Sequence, residues 1–240
     1  MNPQDPHVPQ VGHEHPDVTG GWLRPAVFGV SDGLVSNVAL IAGVAGGTRG
    51  DSSSAVVLAG LAGLAAGAFS MAVGEYVSVA SQSESAAREV QRERREIISN
   101  PEAETLELAE MYRKKGLDED LAHQVARQIH RDVDNAVEVH AREELGVDPH
   151  DLASPMLAAV SSFIAFALGA LVPLVPYFFG ADAFWPGLLA TMVALFGAGA
   201  MVTQMTTRPW WYGGARQMLM GAAAAGLTYA VGAAVGANLG

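Results

Sequence analysis

The chain has 240 residues, 50% of them hydrophobic, a formal charge of −11 and no cysteine. Without thiols there are no disulfides, zinc knuckles, iron–sulfur clusters or Cys nucleophiles. Carboxylate, imidazole, thioether and carbonyl remain as metal ligands, a set that suits Mn²⁺, Fe²⁺, Mg²⁺ or Ca²⁺ better than Cu(I).

Residues 1–21 lack an apolar h-region, so no cleavable signal peptide is expected. They read as a disordered tail, rich in Pro and His, whose His13 and His15 are metal donors by type but lie in a solvated segment with no fixed geometry. Beyond them the apolar residues are segregated. Two apolar blocks, 25–83 and 153–240, flank a segment 84–151 with twelve Glu and six Asp against ten Lys plus Arg, −8 in all. That sign repels nucleic acid and attracts cations.

Spanning a bilayer core takes about 20 apolar residues. Five windows qualify: Pro25–Gly47, Ala55–Val79, Pro155–Phe179, Ala183–Met205 and Gly214–Leu239. The expected fold is an all-α membrane protein of five transmembrane helices. Spans one and two fall within 22–83, a three-helix cytoplasmic insert occupies 84–151, and spans three to five fill 152–240. With the N-terminus in the cytoplasm, 13 of the 14 Lys plus Arg lie on one face and only Arg49 on the other. Glycines in the spans, among them Gly60, Gly63 and Gly67, predict close helix approach. Pro173 and Pro176 predict a kink or end in the third span.

The second span has no breaker before Asn100-Pro101, so it is expected to run on through Ile98. A helix over Glu102–Lys115 and another from Asp118 to Glu144 complete the insert. Leu121, Val125, Ile129, Val133 and Val137 form its expected apolar stripe.

Two acids fall inside spans. Asp32, in Gly29-Val30-Ser31-Asp32-Gly33-Leu34, lies about two turns from the nearest window edge. A carboxylate there is costly unless it meets water, a cation or a partner. Its functional reading competes with a helix-end or packing residue hydrogen-bonded to Ser31 or Ser36. Glu75 shares a helix face with Met71, four residues away. A thioether beside a carboxylate can relay a borderline metal, or Glu75 merely snorkels and Met71 merely packs.

In the insert, Glu89, Glu93 and Glu96 make one carboxylate stripe, and Glu104, Glu107 and Glu110 another. Facing each other, they would offer oxygen ligands to divalent ions. As solvated faces they would pair with Arg92, Arg94 and Arg95. His123, His130 and His140 read individually as surface or core histidines. There is no Glu-x-x-His pair, phosphate loop, nucleophile elbow or zinc-protease motif, which argues against a di-iron oxidase and against an enzyme generally.

The arrangement resembles the vacuolar iron transporter family. The resemblance rests on Gly29–Leu34, on Ala66-Gly67-Ala68-Phe69-Ser70-Met71-Ala72-Val73-Gly74-Glu75-Tyr76, on the Glu-rich insert and on Leu168–Tyr177, and it covers about 22–240. It implies a homodimer in the lipid bilayer that exports Fe²⁺, and also Mn²⁺, from the cytosol by proton antiport, with no prosthetic group. The membrane would be the cytoplasmic membrane of a bacterium, or a vacuolar membrane in a eukaryote. Asp32 and Met71 match the family's pore residues. Glu93, Glu96, Glu104, Glu107 and Glu144 match its metal ligands. His140 stands where some members have a methionine near that site. Gly63 and Pro25 stand where some members have acidic residues, and Glu75 is a candidate replacement lower in the span. The reading from another class is a membrane-tethered metal sensor or buffer.

Overall fold

A computed structural model describes residues 21–48, 53–203 and 208–239, and every regular element among them is helical. Most of the expected N-terminal tail, with His13 and His15, lies outside the described residues, as does Arg49. The elements are α1 (Leu23–Gly47), α2 (Ser53–Ser99), α3 (Pro101–Lys114), α4 (Glu119–Ile129), α5 (Val133–Glu143), α6 (Pro155–Leu171), a 3₁₀ turn at Val172–Leu174, α7 (Val175–Phe178), α8 (Trp185–Val202) and α9 (Trp210–Leu239). Five helical stretches are long and apolar enough to cross a membrane: α1, α2, α6 through α7, α8 and α9.

Helix α1 sits at the centre, packed against α2, α6, α8 and α9. Its buried Leu34, Val38, Ile41, Ala42 and Ala45 supply much of the interior. Small residues let the backbones close up. A Cβ on Gly29 would stand 2.9 Å from the Ser162 carbonyl, and one on Gly33 would stand 2.8 Å from the Ala170 nitrogen. Side chains at these positions would push α6 away, and lipid offers no hydrophobic drive to bring it back.

The start of α6 is capped by Ser154, whose hydroxyl accepts from the Leu157 N–H, with Pro155 in the first turn. It gives way to the 3₁₀ turn at Val172–Leu174 and restarts at Val175. Pro173 and Pro176 cannot donate to the ladder, so the third span is interrupted where the sequence predicts.

Helix α2 is continuous for 47 residues. At 1.5 Å per residue that is about 70 Å, more than twice a hydrocarbon core. Its second half therefore stands clear of the bundle and carries the acidic insert. It stops at Ser99, and Pro101 opens α3 with Glu102 and Glu104 in its first turn.

The insert departs from expectation in one respect. The single helix expected from Asp118 to Glu144 is two, α4 and α5. Asp132 breaks it: its carboxylate accepts from the N–H groups of Asp134 and Asn135, capping a new helix. The restart changes the phase of the apolar face. Leu121 and Val133 are exposed, and of the expected stripe only Val137 is buried. Alanines form much of the contact, with Ile129 of the stripe partly buried against both clusters. Ala122 and Ala126 pack on Leu108 and Ala109 of α3. Ala136 and Val137 pack on Ile97 of α2.

Candidate metal site and membrane groove

Two places gather the chemistry. The first is a groove between α1 and α2, about 400 Å³, lined among others by Asp32, Ser36, Asn37, Met71 and Glu75. The helices run antiparallel, so the middle of one meets the middle of the other. Asp32 is half-buried, and among the described residues no side chain donates to its carboxylate or pairs with it. The Ser36 hydroxyl donates to the backbone carbonyl of Asp32, 2.6 Å away, and leaves the carboxylate alone. The packing reading of Asp32 thus lacks the tie to Ser36 that it needs. Glycines at 63, 67 and 74 keep the α2 wall low.

The second place is in the insert. Glu93 of α2, Glu104 of α3 and His140 of α5 each present a ligand atom within 4.8 Å of the others. All three are buried, His140 completely. His140 Nδ1 lies 2.9 Å from Glu93 Oε1 and 3.8 Å from Glu144 Oε2. The first approach is close but misaligned for a hydrogen bond, and both atoms are left without a partner. Unmet donor and acceptor groups are expensive inside a protein. A divalent cation drawn in among them would satisfy all three side chains.

Electrostatics sharpen this picture. Burial pushes Glu93 up to about 7, and repulsion from Glu144, Glu104, Glu96 and Glu107 adds to it. Glu104 and Glu144 are likewise raised, first by burial and then by their acidic neighbours. His140 is held down to about 4, by burial and then by His130. Near neutrality the imidazole is therefore uncharged and keeps a lone pair for a metal.

The five glutamates matched by resemblance converge here, though not equally. Glu93 and Glu104 are in the cluster and Glu144 is at its edge. Glu96 and Glu107 act on it through their charge, and Glu96 also accepts from Arg92 at 3.1 Å. The outer members of the two stripes turn away. Glu89 lies 3.8 Å from Arg92, and Glu110 accepts two hydrogen bonds from Arg113.

The sequence reading took His130 for a surface or core histidine and not for a neighbour of the cluster. Its ring meets that of His140 edge-on, centroids 5.1 Å apart. Its Nδ1 lies 3.0 Å from the Ala126 carbonyl, which makes that nitrogen the donor and leaves a buried, unpartnered Nε2. The ten-residue spacing of the two histidines gave no hint, because the break at Asp132 sets their approach.

Residues 23–233 match the model of the VIT family. The chain belongs to the VIT family. It is 38% identical over 194 residues to a vacuolar iron transporter of Acanthamoeba castellanii, covering 78% of this chain and 70% of that one. It is 32% identical over 229 residues to vacuolar iron transporter 1 of Oryza sativa subsp. japonica, covering 93% and 90%. With vacuolar iron transporter 1 of Arabidopsis thaliana it shares 36% over 180 residues, covering 74% and 71%. In this VIT-family chain both the groove and the insert cluster lie within the matched region.

Proposed function

We propose that this chain is a metal-ion transporter that moves Fe²⁺, and also Mn²⁺, out of the cytosol in exchange for protons. Its relatives are vacuolar iron transporters, which supports metal-ion transport. The observation that carries the reading is Asp32, a half-buried carboxylate in the middle of an apolar helix with no protein partner among the described residues. A passing cation compensates it, and a carboxylate in a low-dielectric slab can trade that cation for a proton.

In this reading residues 84–151 lie in the cytoplasm with the N-terminus. The cluster of Glu93, Glu104 and His140, with Glu96, Glu107 and Glu144 around it, collects the ion. The ion then passes Glu75 and Met71, reaches Asp32 and leaves on the far side. Two chains form a homodimer, which doubles each ligand set along the path. The membrane is the cytoplasmic membrane of a bacterium.

The test is Fe²⁺ flux into proteoliposomes. Asp32→Ala should abolish it while leaving metal binding by the insert intact. Wild-type flux in that variant would overturn the reading. A second reading, a tethered metal buffer, draws on the distance between the two places: Glu75 and Glu93 are about 27 Å apart along α2. It predicts metal binding with no flux from the wild-type chain.

A further inference from the structure

We propose that the amide oxygen of Asn37 is a second cation-binding position in the groove, one step beyond Asp32. The proposal rests on the transport reading above and adds a residue that neither the sequence pattern nor the metal cluster singles out.

Asn37 is 2% exposed in the middle of α1. Burying an amide is costly unless both its ends are satisfied. Only one end is. Its Nδ2 donates to the Ala170 carbonyl of α6 at 2.5 Å. That carbonyl can only accept, so the amide is fixed with nitrogen toward α6 and oxygen the other way. Oδ1 then has no partner.

The neighbours show where this oxygen points. A Cβ on Gly63 of α2 would stand 3.0 Å from it. Asn37 and Gly63 both line the groove that holds Asp32 and Met71. Asn37 lies five residues past Asp32, about 7.5 Å further along α1 toward Gly47. The α2 wall offers nothing polar at position 63, so the amide supplies the oxygen at that level. Leu40 closes over Gly63, and its flexible side chain must swing aside for an ion to arrive.

The chemistry suits a moving divalent ion. Amide carbonyls are hard oxygen ligands for such cations. They carry no charge, so the ion is held more weakly than by Asp32. Conduction needs sites that bind well enough to admit an ion and weakly enough to release it. An asparagine serving only to tie α1 to α6 would gain nothing from a buried, unpartnered oxygen.

The experiment is Fe²⁺ flux against concentration in proteoliposomes of the full chain, with melting temperature in detergent as the folding check. Asn37→Ala should lower flux at least tenfold. Asn37→Asp puts a charged oxygen at the same place, and should lower the half-saturating Fe²⁺ concentration at least threefold while slowing maximal flux. Gly63→Ala keeps the bond to Ala170 and sets a methyl against the oxygen, displacing the flexible Leu40 side chain, and should also cut flux tenfold. A purely structural Asn37 would move the melting temperature without moving the half-saturating concentration. Folded Asn37→Ala within twofold of wild-type flux, or Asn37→Asp with unchanged half-saturation, overturns the proposal. If Asn37→Ala does not fold, Gly63→Ala decides, and flux within twofold of wild type overturns it. Asp32→Ala is run alongside. If that variant transports normally, the transport reading falls and this proposal with it. If it is inactive while Asn37→Ala is not, only the second position is lost.

Discussion

His140 Nδ1 and Glu93 Oε1 face each other across 2.9 Å, buried and without a hydrogen bond to either. They come from helices forty-seven residues apart in the chain, joined by packing at Ile97, Ala136 and Val137. One imidazole among carboxylates gives the insert a nitrogen donor in an otherwise oxygen-rich site.

That donor should set metal preference. Imidazole favours borderline transition metals, whereas Mg²⁺ and Ca²⁺ prefer oxygen. His140→Ala is expected to weaken Co²⁺ and Fe²⁺ binding by about tenfold or more, leaving Ca²⁺ affinity nearly unchanged. Isothermal titration of the full chain in detergent, metal by metal, reads this directly. Equal losses for all ions would count against it.

Metal affinity should fall in acid. With Glu93 at about 7, the proton must leave before a cation can bind. Between pH 8 and pH 7 the Mn²⁺ affinity of the insert should change little. Below 7 it should drop about tenfold per pH unit for one displaced proton. His140, at about 4, adds nothing to this window. In Glu93→Gln the residual affinity should lose this dependence around pH 7.

The same residue should make the metal-free fold prefer acid. Its carboxyl group is raised above the ordinary value, so the native state holds a proton that the unfolded chain has released. Stability from this group is present at low pH and is lost as pH rises through about 7. Glu93→Gln should therefore melt several degrees higher than wild type at pH 8 without metal, and the gain should vanish below pH 4.5, the ordinary value from which the group is raised. Scanning calorimetry at the two pH values checks it. Equal melting temperatures at pH 8 would mean that the carboxylates are relieved in another way.

Gly33→Ala tests the packing of the bundle. The added methyl meets the Phe166 carbonyl and lies 2.8 Å from the Ala170 nitrogen, both backbone atoms that cannot step aside. Overpacking of this kind costs about 1–3 kcal/mol. The variant should melt lower in detergent. Gly74→Ala, with nothing within 4 Å of the added Cβ, should not.

Much of the fold was open to a reader of the sequence because it depends on local chemistry. Apolar windows of sufficient length located the five spans. The absence of a breaker before Asn100-Pro101 implied the long α2, and Pro173 and Pro176 marked the interruption after α6. The division of Asp118–Glu144 into two helices was missed, since an Asp inside a helical pattern is as easily a surface residue as a cap. The apolar stripe held only at Val137 and Ile129, and alanines took the other buried positions.

The candidate sites divided in the same way. Asp32, Met71 and Glu75 stood out as polar or polarisable groups within apolar windows, and the groove brings them together. The glutamate stripes suggested a metal surface but not its membership. Glu89 and Glu110 pair with arginines three residues on, which helical spacing already allows, but only folding drew Glu93 and Glu104 inward. His130 was read only as a surface or core histidine and Asn37 was passed over, since each matters through an unmet atom, and whether an atom is met depends on neighbours far along the chain.

By itself the sequence determined what the lipid and the local backbone demand: five apolar spans, an acidic insert and carboxylates where hydrocarbon penalises them. Those are one-body terms, set by each segment's own solvation and dihedral preferences. The tertiary structure decided which oxygens and nitrogens face one another and which are left unpaired. That is a matter of distances between distant residues, fixed by how closely glycines and alanines let the helices approach.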